Sequence, residues 1–166
     1  MKNTGRIAIL PGSYDPITRG HVALAARAAM LFDKIVVAVM QNDEKQYTFS
    51  VAQRLRLAEV SLAEIPNCEV IADSGMLIDL YERLGASCVV KGLRNEIDYR
   101  YESTQAAWNH NHLDSFETVY LPAEDGYEHI SSTEVRSRLN RCSDFESLLM
   151  PAASRLLQSD DFRNLK

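Results

Sequence analysis

A histidine follows a glycine where a predicted helix begins, in the segment Thr18-Arg19-Gly20-His21. The backbone N–H groups and the positive end of the helix dipole favour an anion at this position, and Gly20 lets a phosphate approach the backbone closely. An imidazole in the first turn can donate a hydrogen bond to phosphate oxygens whose charge grows during transfer. The segment therefore indicates phosphate chemistry at His21, and the competing interpretation is a structural histidine beside a turn.

Two further clusters contain residue types that bind phosphates. Lys91 and Arg94 follow a predicted apolar strand in the segment K-G-L-R-N-E-I-D-Y-R-Y-E. The segment I-S-S-T-E-V-R places hydroxyl groups and free amides at a predicted helix start, with Arg136 one turn later, which would form a second phosphate cradle. A solvated charge run and an ordinary N-cap are the structural alternatives.

Short β-rich runs alternate with longer helical patterns along the chain. The predicted strands are residues 6–10, 35–40, 69–72, 87–90 and 118–121, and the predicted helices are residues 20–32, 50–65, 76–84, 97–109, 132–139 and the tail from 144. Ser50 and Gln53 form a capping-box pattern, and Gly85 is a predicted C′ glycine.

This alternation predicts an α/β fold: a single Rossmann-like, doubly wound domain over residues 1–166, with a five-stranded parallel sheet and helices on both faces. Ligands of such a sheet bind at the carboxyl ends of its strands, near the point where the strand order reverses. We therefore expect the loops after the first, fourth and fifth strands to converge on one cleft that contains all three clusters.

The composition excludes several classes of protein. The 166 residues carry a formal charge of −5, whereas binders of duplex DNA or of anionic membranes need a basic face. Cys68, Cys88 and Cys142 are odd in number and far apart, so we expect reduced thiols rather than disulfides or a zinc site. No apolar run approaches the ~20 residues that cross a bilayer. We expect a cytoplasmic protein with no membrane or nucleic-acid partner.

The strings P-G-S-Y-D-P-I-T-R-G-H, K-G-L-R-N-E-I-D-Y-R-Y-E and I-S-S-T-E-V-R together resemble the T-x-G-H nucleotidyltransferase superfamily, and within it the phosphopantetheine adenylyltransferase family. The resemblance extends over nearly the whole chain, and the second string separates this family from its relatives. It implies that ATP reacts with the phosphate of 4'-phosphopantetheine to give dephospho-coenzyme A and pyrophosphate. It also implies Mg²⁺ with the nucleotide, no resident metal site, a homohexamer and feedback by coenzyme A.

The family's functional residues carry over position by position. The resemblance assigns catalysis to His21, Lys45 and Arg94. It assigns ATP binding to Ser13, Tyr14, His21, Gly92, Leu93, Arg94, Glu102, Tyr127, Glu128, His129, Ile130, Ser131, Ser132 and Thr133, and acceptor binding to Ser13, Lys45, Leu77 and Lys91. Lys91 stands where the family more often has arginine, which exchanges a planar fork for a point charge.

Three alternatives remain open from the sequence. Another member of the superfamily could act on nicotinate mononucleotide or, with CTP, on a polyol phosphate, although the K-G-L-R segment argues against both. A nucleotide sensor could keep the fold without turnover. His110 and His112 could suggest a metal site, but residues i and i+2 of a helix diverge, so we expect them, with Trp108, at the surface or at a subunit contact.

Overall fold

A computed structural model describes residues 5–164 of the chain. Its strands are β1 (Ile7–Gly12), β2 (Lys34–Met40), β3 (Cys68–Asp73), β4 (Cys88–Leu93) and β5 (Thr118–Pro122). Its helices are α1 (Arg19–Leu31), α2 (Val51–Leu62), α3 (Leu77–Leu84), α4 (Glu96–His112), α5 (Ser132–Asn140), α6 (Pro151–Leu157) and α7 (Asp160–Asn164), with a 3-10 turn at Glu146–Leu148.

The five strands form one parallel sheet in the order β3-β2-β1-β4-β5. Side chains alternate between the two faces of β1, as the period of a strand requires. Leu10 packs with Leu57 of α2 on one face, and Ile9 packs with Leu80 of α3 on the other. The predicted fold class, a doubly wound sheet with helices on both faces, is confirmed. Within residues 5–164, no helix combines the length and apolar character that a membrane span requires.

Two predicted helix boundaries are confirmed by their capping contacts. The Ser50 N–H donates to Gln53 Oε1 at 3.0 Å, and the Gln53 N–H donates to Ser50 Oγ at 3.2 Å, which completes the capping box of α2. Gly85 ends α3 with φ 59°, in the left-handed region that glycine enters without a steric penalty.

The strands nearest the expected cleft are longer than predicted. Lys91 and Gly92 lie within β4 rather than in the loop after it, where they are paired with Tyr120 and Leu121 of β5. Lysine and glycine rarely favour a strand by themselves, so the neighbouring strand determines their conformation.

The tail from residue 144 is also corrected, because it forms three short helical pieces instead of one helix. Met150 has an extended backbone, with φ −66° and ψ 145°. A residue that precedes a proline prefers this conformation, and Pro151 follows it directly. The proline therefore separates the 3-10 turn from α6.

The two central strands separate towards their carboxyl ends. All six residues of β1 are paired with β2, but β1 is paired with β4 only at Ala8 and Ile9. Pro11, which has no N–H to donate, comes soon after this last pair. The strand order also reverses between β1 and β4. A crevice therefore opens at the switch point of the sheet, where ligands of such folds bind.

Candidate active site

A cleft of about 550 Å³ occupies this crevice. The sequence-predicted residues that line it are Ser13, Tyr14, His21, Lys45, Leu77, Lys91, Gly92, Arg94, Glu102, Tyr127, Ile130, Ser131, Ser132 and Thr133. The structure thus brings His21 and Arg94 to one hollow, together with the loop after β2 and the start of α5. Their roles in binding and catalysis stay predictions.

His21 is held in a defined orientation at the start of α1. The backbone N–H of Thr18 donates to His21 Nδ1 at 3.0 Å. A backbone amide can only donate, so Nδ1 is the acceptor, and in the neutral ring the proton lies on Nε2. The ring of Tyr14 packs edge-on against the imidazole, with centroids 5.0 Å apart, and the Tyr14 hydroxyl donates to the Leu10 carbonyl at 2.8 Å.

The charge state of His21 follows from its surroundings. Burial, and secondarily the positive charge of Arg94, lower the pKa of His21 from 6.5 to about 4. Near neutral pH the ring is therefore uncharged and offers one donor, Nε2–H. It can stabilise developing negative charge as a hydrogen-bond donor and cannot act as a preformed imidazolium.

We expect the pKa of His21, followed through its ring proton by NMR, to be about 4 in the free protein. Arg94→Gln should raise it, but it should stay below 6.5, because burial is the larger cause. Since folding lowers this pKa, stability should be unaffected above about pH 6.5 and decline as the pH falls towards 4. A pKa near 6.5 in the wild type would mean that neither burial nor Arg94 perturbs the His21 ring.

Both cations of the K-G-L-R segment are paired with acids of α4. Lys91 Nζ lies 3.0 Å from Glu102 Oε2, and both side chains are about one-fifth exposed. Arg94 binds Asp98 through two bonds, from Nε to Oδ2 at 2.9 Å and from Nη2 to Oδ1 at 3.1 Å. These hydrogen bonds lower the pKa of Asp98. A phosphate entering the cleft must therefore compete with a carboxylate for each cation.

Each of the three hydroxyl groups at the start of α5 makes a hydrogen bond within the protein, one as a donor and two as acceptors. Ser131 Oγ accepts from the Glu134 N–H at 3.1 Å, Ser132 Oγ donates to the Pro16 carbonyl at 2.7 Å, and Thr133 Oγ1 accepts from Arg136 at 3.1 Å. Ser132 uses its O–H in the bond to Pro16, whereas the Ser131 and Thr133 hydroxyls only accept and each keep an O–H to donate. These two hydroxyls and the backbone N–H groups of Ser132 and Thr133, which lack partners within the helix, are available to a phosphate, and the expected cradle stays a prediction. Arg136 instead donates to the Asp15 carbonyl at 2.6 Å.

Three predicted site residues are not among those lining the cleft: Leu93, Glu128 and His129. The Leu93 carbonyl accepts from the Ala123 N–H at 2.7 Å. Glu128 and His129 occupy the middle of a turn closed by the Ile130 N–H to the Tyr127 carbonyl at 3.0 Å. Tyr127 and Ile130, at the two ends of that turn, contact the cleft, while the two central residues are exposed.

Several cleft residues were not predicted from the sequence: Arg27, Asp98, Tyr101, Gln105 and Glu124. Asp98, Tyr101 and Gln105 share one face of α4 with Glu102, because residues three, four and seven apart lie above one another on a helix. That spacing was a usable signal. Arg27 lies two turns after Gly20 on α1 and donates to the Pro122 carbonyl.

The histidines of the W-N-H-N-H segment are engaged separately. His110 Nδ1 lies 3.1 Å from the Phe116 carbonyl, and the His112 ring stacks on Trp108 with centroids 3.8 Å apart. Within residues 5–164, no three His, Cys, Asp or Glu side chains form a group that could hold a metal ion.

Comparison with known proteins identifies the family. The sequence profile of the cytidylyltransferase-like family matches residues 9–138. The phosphopantetheine adenylyltransferase of Kocuria rhizophila is 42% identical over 156 residues, covering 93% of this chain and 99% of that protein. That of Aromatoleum aromaticum is 39% identical over 153 residues, covering 92% and 94%. The chain belongs to the phosphopantetheine adenylyltransferase family.

Solved structures place this family member within a wider fold group. A structure from Vibrio parahaemolyticus has a TM-score of 0.72 and covers 97% of this chain and 96% of that one, at 16% identity. A bifunctional NMN adenylyltransferase/ADP ribose pyrophosphatase from Francisella tularensis has a TM-score of 0.69, covering 97% and 52%, at 12% identity. At such identities the likeness shows the fold alone, so phosphopantetheine adenylyltransferase membership rests on the sequence relatives.

Proposed function

We propose that this enzyme transfers the AMP part of ATP to the phosphate of 4'-phosphopantetheine, giving dephospho-coenzyme A and pyrophosphate, as its family membership implies. The observation that carries the proposal is the shared cleft, where His21 lies with Lys45, Lys91, Arg94 and the start of α5. Such groups around one hollow suit a reaction between two phosphate-bearing substrates.

The transfer needs no nucleophilic side chain. An oxygen of the acceptor phosphate attacks the α-phosphorus of ATP, a new P–O bond forms, and the bond from the α-phosphorus to the bridging oxygen breaks as pyrophosphate leaves. The protein aligns the reactants and stabilises charge. The Nε2–H of His21 serves as a neutral donor to the phosphate oxygens, while Lys45 and Arg94 offset their negative charge.

We assign the two substrates to different parts of the cleft. The amides at the start of α5, with Tyr127 and Ile130, support ATP binding, and Mg²⁺ arrives as part of that substrate, bound to its phosphates. Leu77 and Lys91 support acceptor binding. Both residues line the cleft beside α4, and Lys91 is paired there with Glu102.

An acceptor panel tests the function. Purified protein with ATP and Mg²⁺ should release pyrophosphate with 4'-phosphopantetheine, and not with nicotinate mononucleotide or, with CTP, a polyol phosphate. Pyrophosphate released only with one of the other acceptors would overturn the assignment. Tight ATP binding without release in any mixture would identify a nucleotide sensor.

Lys91→Arg should leave the acceptor KM unchanged or lower it by as much as about tenfold, ~1.4 kcal/mol, because a guanidinium can bind phosphate through two bonds. Steady-state kinetics at saturating ATP measure this. Lys34→Arg is the matched control, because Lys34 pairs with Glu69 outside the cleft and its substitution should not change the KM. A large rise in KM for Lys91→Arg alone would mean that Lys91 does not bind the acceptor phosphate.

The assembly is proposed to be a homohexamer located in the cytoplasm. Ile97, Tyr99 and Trp108 of α4 expose 78%, 49% and 45% of their surface, an unusual apolar content for a free helix. The proposed cytoplasmic location is supported by Cys68, Cys88 and Cys142, which are free thiols, because thiols stay reduced in that compartment. Light scattering should give six times the chain mass, and Trp108→Glu should reduce it. A monomeric mass in the wild type would contradict the hexamer.

A further inference from the structure

Lys45 lies on a loop with no regular structure, residues 41–50, between β2 and α2. Its side chain reaches the cleft, and its backbone N–H donates to the Asn42 carbonyl at 3.0 Å. A catalytic cation on such a loop acts only if the loop is fixed relative to the reacting phosphorus, since misplacement by ~1 Å can cost about 100-fold in rate. The position of Lys45 therefore depends on the contacts that hold the two ends of the loop.

Asp15 holds the far end of this loop. Its carboxylate accepts from the Thr48 N–H through Oδ2 and from the Phe49 N–H through Oδ1, each at 2.9 Å. Asp15 itself is only 5% exposed, and it lies in the loop between β1 and α1, beside Ser13 and Tyr14. One carboxylate therefore ties the Lys45 loop to the loop that leads to His21.

Arg54 holds the near end. It is fully buried, and it donates to the Ser13 carbonyl at 2.6 Å and the Met40 carbonyl at 3.0 Å. The Tyr47 ring stacks on its guanidinium, 3.9 Å from carbon to centroid. The Tyr47 hydroxyl accepts from the Asn42 N–H at 3.0 Å. These contacts close the loop at its neck, with Lys45 between Asn42 and Tyr47.

We propose that Asp15, supported by Arg54, is a positioning residue that sets the place of Lys45 in the cleft. The same residue is also linked to the start of α5, because its carbonyl accepts from Arg136. Asp15 thus joins three segments that line the cleft. The expected effect of Asp15 on catalysis rests on the proposed function. Its effect on the order of the Lys45 loop does not.

Asp15→Asn tests the link to catalysis. The side-chain amide of asparagine accepts through its single oxygen, whereas its NH₂ group would face a backbone N–H, which is also a donor. One of the two bonds to the Thr48 and Phe49 amides is therefore lost. We expect kcat with 4'-phosphopantetheine to fall by about 10- to 100-fold and the acceptor KM to rise. Asp73→Asn is the matched control: Asp73 also accepts from a backbone amide, that of Gly75 at 2.8 Å, and pairs with Arg83, but outside the cleft.

A double-mutant cycle separates positioning from general destabilisation. If Asp15 acts through Lys45, then Asp15→Asn should lower kcat little further in a Lys45→Ala background. Asp73→Asn should have the same small effect in both backgrounds. Independent, multiplying losses from Asp15→Asn and Lys45→Ala would overturn the proposal.

Amide hydrogen exchange tests, without any assay of activity, whether Asp15 fixes the loop of residues 41–50. The Thr48 and Phe49 amides should be protected in the wild type and exchange at least about tenfold faster in Asp15→Asn, a change of ~1.4 kcal/mol in opening. Tyr47→Leu, at a partly exposed site, gives a second variant if Asp15→Asn fails to fold, and it should also lower kcat. Unchanged amide exchange in Asp15→Asn would refute the proposal that Asp15 fixes the loop. If Asp15→Asn does not fold, an unchanged kcat in Tyr47→Leu would refute it instead. A wild type inactive with 4'-phosphopantetheine but showing the exchange difference would refute the function alone.

Discussion

Replacing His21 with alanine should lower kcat by about 100- to 1,000-fold, the usual cost of removing one donor to a charge that develops in the transition state. The affinity for ATP should change much less, because the Nε2–H bond strengthens only as charge moves onto the phosphate oxygens. Single-turnover rates and equilibrium binding of ATP measure the two effects separately. Equal losses in both would mean that His21 binds the ground state and the transition state alike.

His21→Gln is the informative companion variant. The glutamine amide can present a donor near the position of Nε2 but cannot accept from the Thr18 N–H as the ring does. We therefore expect partial recovery of kcat relative to His21→Ala. Recovery should be independent of pH between about 5 and 8, since neither variant has an imidazole to titrate.

Arg94→Ala should lower kcat/KM for ATP by about 10- to 100-fold, because a hydrogen bond to a charged group contributes ~1.5–3 kcal/mol. The loss has two parts: the phosphate loses a cation, and the carboxylate of Asp98 loses the partner that it binds through two bonds. An unpaired carboxylate in the cleft repels the triphosphate. The double variant Arg94→Ala/Asp98→Asn should therefore regain part of the loss.

The matched control for Arg94 is an arginine of α4. Arg100 pairs with Glu96 one turn away, and both side chains are largely exposed outside the cleft. Arg100→Ala should leave kcat/KM unchanged. If Arg94→Ala/Asp98→Asn were no better than Arg94→Ala, the repulsion argument would be wrong. If Arg94→Ala itself had no effect, Arg94 would not contact the nucleotide.

The architecture was predictable from the sequence because hydrophobic periodicity is a local property. Five apolar runs separated by helical patterns indicate a parallel sheet, and the rule on strand ends locates the cleft. The ends of β1 and β4 were not predictable in this way. Pro11 and Gly92 are poor strand residues, and they are extended because a neighbouring strand pairs with them. The break before α6, by contrast, has a local signal, because Pro151 favours an extended conformation at Met150.

The contacts within the site were much less predictable than its location. The sequence does not show that Glu102 pairs with Lys91 or that Asp98 pairs with Arg94, since only the fold brings α4 to the end of β4. Arg54 is the clearest example. An arginine on a helix is usually predicted to be a solvent-exposed charge, yet Arg54 is fully buried. It donates to the carbonyl of Ser13, which is 41 positions away in the sequence. A charged group enters the core only when distant carbonyls satisfy it, and these cannot be inferred from spacing.

The helix that carries Asp98 and Glu102 rests only lightly on the domain. None of the seventeen side chains of α4, all of which the structure describes, is fully buried. Because α4 contributes no buried side chain, we expect its separation from the sheet in a single chain to cost less free energy than unfolding the sheet, whose strands hold buried core residues. We expect ligands to enter and leave on the α4 side. If the proposed homohexamer forms through the outer face of this helix, the exchange rate should be lower in the assembly than in a separated chain.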